Sequence, residues 1–153
     1  MNIDEKDNVQ RLMSLAAAEN LAGIDALLKL DFEAVCESYN GIGPEFLPES
    51  IRAKVTQHLS VFEPAALIHD FRNEFSDGTR SSFYATNSEF LENCLKLADA
   101  EYKWYNPRRY VARHVAHLLY KFVNSDFGWS AWLAAKDRHA QKISGNSAGT
   151  TKE

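Results

Sequence analysis

Residues 63–75 read E63-PAALIHDFRNEF-75, an apolar run that meets a His-Asp pair and then alternates in charge. Ala65, Ala66, Leu67 and Ile68 predict a helix entering a core. Pro64 suits its first turn, where the missing N–H costs nothing. The turn residues of S76-DGTRSS-82 end it near Phe75. Adjacent residues of a helix point about 100° apart, so His69 and Asp70 do not face each other. They serve two neighbouring roles instead: an imidazole placed as a general base, and a carboxylate placed for a hard cation. Glu63, seven residues before Asp70, and Glu74, four after it, share the face of Asp70.

Outward from this stretch the periodicity remains helical. Residues 5–19 place Val9, Leu12, Met13 and Ala16 on one face, and residues 20–30 continue with Leu21, Ile24, Leu27 and Leu28. Asp31 is placed to cap a short helix carrying Phe32, Val35 and Cys36. Asn40-Gly41 and Gly43-Pro44 turn the chain, and a short amphipathic helix follows over 50–59. Thr86 or Asn87 is placed to cap N87-SEFLENCLKLADAEY-102, with Phe90, Leu91, Cys94, Leu95 and Ala98 on its stripe. Asn106-Pro107 opens a helix to about residue 124 whose inward set reads Val111, His114, Val115, Leu118, Leu119 and Phe122. Beyond Asp126-Phe127-Gly128 a last helix turns Trp129, Trp132, Leu133 and Ala134 inward, and the small, polar residues 144–153 read as a disordered tail.

The chain has 153 residues, 45% of them apolar and 25% charged, which fits one ordinary globular domain. Seven glycines and four prolines are too few for a turn-rich β fold. The expected fold is an all-α, single-domain bundle of about six to eight helices over residues 1–143. No run reaches the ~18 apolar residues of a spanning helix. The N-terminus MNIDEKDNVQ lacks the pattern of a signal peptide, so synthesis in the cytoplasm is expected. Cys36 and Cys94 lack metal or disulfide spacing and read as buried thiols.

Charge is distributed unevenly. Residues 1–40 hold eight acids and three bases, whereas 102–121 hold Lys103, Arg108, Arg109, Arg113 and Lys121 without an acid. Arg109, Arg113 and His117 fall at i, i+4 and i+8, a stripe suited to phosphates, with Tyr105 and Tyr110 adding aromatic surface. A solvated face pairing with the acidic N-terminal region is the plainer reading of the same stripe. The net charge of -4 argues against nucleic acid as the partner.

A glycine turn, then a helix carrying His-Asp, then a helix bearing a polar orienter resembles the secreted phospholipase A2 superfamily. The resemblance implies a central antiparallel helix pair and a calcium ion, held by Asp70 and by the loop of Asn40, Gly41 and Gly43. His69 would be the base that activates water against a lipid or other ester, and Asn87 the group that orients it. This chain carries an amide at Asn87 where that family carries a carboxylate, and Asn73 where it carries a tyrosine.

A second resemblance is carried by Y39-NGIGPEFLPESIR-52, F62-EPAALIHDF-71, N87-SEFLENCLKLA-98, Y105-NPRRY-110 and F127-GWSAW-132. This ordered set is similar to small proteins of bacterial phages, prophages and conjugative elements. It covers about residues 36–135 and leaves 1–30 as a variable N-terminal extension. It implies a mobile-element origin without a defined activity, including a place at a membrane or in a phage particle. Two functional expectations follow: a metal-assisted ester hydrolase, or a non-catalytic protein that contacts a protein partner or a membrane surface.

Overall fold

The computed structural model describes residues 3–39 and 58–147. Among these, the chain forms seven α-helices and no strand: α1 (Ile3–Ala18), α2 (Ile24–Leu27), α3 (Phe32–Ser38), α4 (Leu59–Phe75), α5 (Arg80–Glu101), α6 (Pro107–Val123) and α7 (Asp126–Ser147). The expected all-α bundle is the observed fold.

Helices α4, α5 and α6 run antiparallel in sequence order. His58, just before α4, meets Tyr102 at the far end of α5, while His69 meets Asn87 near its beginning. Asp99 near the end of α5 meets Arg109 and Arg113 of α6, and Asn87 reaches Asn124 just past the end of α6. The first three helices cover one side of α4, and α7 crosses the end where α4 stops and α5 begins. Val9, Leu12, Leu27, Val35, Phe62, Leu67, Cys94, Val115 and their neighbours form the core. Complete burial of one such large apolar side chain contributes about 1.5–3 kcal/mol.

Local chemistry explains where several elements begin and end. Helix α4 starts at Leu59, a turn and a half earlier than its proline suggested, and Pro64 lies buried inside it. Fully buried Phe62 draws the upstream turn onto the core, while the proline gives up one backbone bond. Helix α5 also starts early. Thr79, rather than Thr86 or Asn87, is its cap: the Thr79 hydroxyl oxygen accepts from Ser82 N–H at 3.1 Å, and Asp77 Oδ1 accepts from Thr79 N–H at 3.0 Å. Asn87 therefore sits inside the helix. Asn106 caps α6 as expected, accepting from Arg108 N–H at 3.0 Å.

The second segment breaks where continuous helix was expected, because Asn20 and Gly23 adopt φ of 49° and 88°. Leu28 consequently faces out. A Cβ on Gly23 would lie 2.7 Å from Glu89 Oε1 and 2.8 Å from Ile68 Cγ2, so space and backbone both require glycine there. At the other end of the bundle, a Cβ on Gly128 would lie 1.8 Å from the Val123 carbonyl oxygen. Glycine lets α7 start directly against the end of α6.

Helix α6 is rotated from its expected orientation. Ala112, Val115, Ala116 and Leu119 are buried, whereas Val111 and His114 are exposed. Two alanines one turn apart allow a close approach of backbones that bulkier side chains on that face would prevent. In α7, Trp132 and Ala135 are buried and Leu133 and Ala134 face out. Helix α7 continues to Ser147, so residues 144–147 of the expected tail are helical. Both cysteines are free and buried.

Candidate functional site

His69 projects from α4 into a polar seam shared with α5 and the end of α6. Its Nε2 lies 2.9 Å from Asn87 Oδ1. Asn87 is buried, and its Nδ2 donates to Val123 O at 3.3 Å and to Asn124 Oδ1 at 3.1 Å. The carbonyl of Val123 can only accept, which fixes the amide nitrogen on that side and turns Oδ1 towards His69. Nε2 must then carry the proton, leaving Nδ1 with its lone pair. Asn73 Nδ2, one turn along α4, lies 3.3 Å from that Nδ1.

Three elements thus fix one neutral tautomer. Burial holds the His69 imidazole below its ordinary pKa, against the opposing hydrogen bond from Asn87 and the charge of Glu89. Phe90 packs on the ring, with centroids 4.8 Å apart. The seam leaves one orphan, since Asn73 Oδ1 is buried without a partner. The expected pairing of His69 with Asn87 is present. It is joined, however, by a second amide on the nitrogen that a general base would need.

Asp70 belongs to different surroundings. The Tyr39 phenol is pushed up to about 12 by burial and by the nearby negative charges of Glu63 and Asp70. Glu63 meets Arg11 of α1 at 3.4 Å, while His69 faces α5. The carbonyls of Asn40, Gly41 and Gly43, expected as calcium ligands, lie outside the described residues. Among the described residues no three His, Cys, Asp or Glu side chains form a metal-binding group.

The basic stripe resolves into paired and outward-facing parts. Arg109 Nε lies 2.8 Å from Asp99 Oδ1, and Arg113 Nη1 lies 2.7 Å from Asp99 Oδ2. Burial raises the Asp99 carboxyl, but the hydrogen bonds and charges of Arg113 and Arg109 override it and hold the group below its usual range. Those two arginines serve the α5–α6 contact, and the acid they meet belongs to α5, not to the N-terminal region. His117 is exposed. His114, expected in the core, is exposed too.

No family model, curated protein or solved structure matches the chain.

Two further features lie outside the seam, and of these the sequence showed only the aromatic surface of Tyr105 and Tyr110. Lys136 of α7 donates to the carbonyls of Glu74 and Ser76, capping the end of α4, and lies over the Trp132 ring. The other is the corner between α5 and α6. Trp104, Tyr105 and Tyr110 are 74%, 62% and 67% exposed there, beside exposed Lys103 and Arg108. The signal was present in K103-WYNPRRY-110, where aromatic residues flank an Asn-Pro cap and so fall on a chain reversal.

Proposed function

We propose that this chain is a non-catalytic binding protein, of the phage and conjugative-element kind that its spaced motifs resemble, and that it acts through the α5–α6 corner. The observation that carries this reading is the outward display of Trp104, Tyr105 and Tyr110 beside two cations. Large aromatic rings held in water mark contact surfaces, because their apolar bodies gain by being covered. The His69 seam supports the same reading from inside. Its histidine has both ring nitrogens engaged by amides, an arrangement that staples helices together more readily than it activates water.

The hydrolase reading has one observation in its favour, the Asn87 oxygen 2.9 Å from His69 Nε2. Calcium titration by calorimetry, followed by ester hydrolysis with wild type and His69→Gln, separates the two. Glutamine retains an amide donor for Asn87, and an unchanged circular dichroism spectrum checks that the fold is kept. The binding reading expects no hydrolysis that depends on His69. Calcium-dependent turnover in wild type, lost in His69→Gln, would overturn it.

A further inference from the structure

We infer that the α5–α6 corner docks on an anionic lipid surface, an assignment that rests on the binding role just proposed. Lys103, Trp104, Tyr105, Pro107, Arg108 and Tyr110 are all exposed on one reversal of the chain. The indole of Trp104 and the ring of Tyr105 meet edge to face at 5.7 Å, and Lys103 Nζ lies 6.0 Å from the Tyr105 ring centroid. The rings are therefore partly ordered before anything covers them. Trp and Tyr combine an apolar body with one polar tip, the combination that sits at the boundary between lipid headgroups and acyl chains. Exposed Lys103 and Arg108 lie beside them in the chain, and each such cation near the surface contributes to attraction by an anionic leaflet.

The pairing at the base of the corner makes lipid the better fit among polyanions. Asp99 takes up Arg109 and Arg113, which fixes α6 against α5 and keeps both guanidiniums from forming a cationic track along the helix. A nucleic-acid strand needs such a track to follow its backbone. A lipid surface needs only a convex tip with interfacial rings and a few cations. Exposed Glu101 on the flank limits the attraction and favours a reversible contact.

Flotation of the full chain with vesicles tests this directly. One set is phosphatidylcholine alone, and the other contains about one-third phosphatidylserine to supply a negative surface. Binding to the anionic vesicles only, weakened by salt, is expected. Trp104→Ala with Tyr105→Ala should return binding to background. Lys103→Gln with Arg108→Gln should lower partitioning by roughly thirty-fold, from two cations at the surface. Unchanged circular dichroism and melting temperature would show that these exposed substitutions leave the fold intact.

Wild type that ignores anionic vesicles, or variants that bind as well as wild type, would overturn the lipid assignment. So would capture of a labelled single-stranded oligonucleotide in place of vesicles. Either failure without His69-dependent hydrolysis would leave the broader binding role standing, whereas such hydrolysis would remove that role itself.

Discussion

Where α4 meets α5, His69, Asn73, Asn87 and Asn124 bring polar atoms into the bundle. Where α5 meets α6, Trp104, Tyr105 and Tyr110 carry aromatic rings out of it. Both arrangements run against the ordinary sorting of side chains, but they are compensated differently. In the seam almost every polar atom has found a partner within the chain, so nothing external is required. At the corner Trp104 and Tyr105 touch each other and all three rings face solvent, so the compensation has to come from outside. Polar residues inside are thus explained by structure, and apolar residues outside point to function.

The strongest way to break this contrast is Asn87→Ala. Removing the amide strands the His69 N–H, the Val123 carbonyl and one acceptor of Asn124, which should cost about 2–4 kcal/mol. Urea unfolding measures it; a loss below about 0.5 kcal/mol would mean that the seam is not a staple.

Gly128→Ala comes next, since its methyl group would drive the Val123 carbonyl out of the seam. About 1–3 kcal/mol is expected, read by the same unfolding midpoint.

A pH series sharpens the contrast further. Burial lowers the pKa of His69 in the folded chain, and burial together with the charge of Arg108 lowers that of His58. Both groups therefore bind protons more readily when unfolded. Their contribution to stability is complete above the ordinary histidine pKa of about 6.5 and is lost as pH falls from there towards the folded values. His69→Gln should flatten the drop between pH 7.5 and 5.5, roughly the window in which histidine titrates. An unchanged slope would exclude His69 as a contributor.

Asp99→Asn acts on the other side of the comparison. The partners are partly solvated, so stability should fall by less than about 1 kcal/mol. The released arginines should strengthen binding to anionic vesicles, and weaker binding would show that the corner needs its anchor more than extra charge. The smallest expected effect is that of Trp104→Ala on stability, within about 0.5 kcal/mol. A larger loss in thermal melting would make that indole structural and remove it from the proposed contact.

Much of the architecture was legible because a repeating pattern carries it. Val9, Leu12, Met13 and Ala16 repeat at helical spacing, and all four are buried. His69 and Asn87 were legible as a pair because the antiparallel hairpin needs only two helices and a short connection. The rotation of α6 was not, because it depends on the partner surface: hydrophobicity favoured Val111 over Ala112, while close packing against α5 favours the smaller residue. Thr79 was passed over because it lies among the residues read as a break. Asn93 left no local trace at all. Its side chain accepts from Ala22 N–H at 2.8 Å and donates to Ala22 O at 3.0 Å, across 71 positions of sequence.

That grip of Asn93 on Ala22 has a consequence for how the chain tolerates change. A side-chain amide copies the pairing of a backbone peptide, so the link between α1 and α2 is gauged by a fixed ruler. Inserting or deleting one residue between Ala18 and Ile24 would slide another peptide opposite Asn93 and carry the buried face of α1 out of register with α4. The segment can change exposed letters other than Asn20, whose positive φ suits asparagine, but not its length.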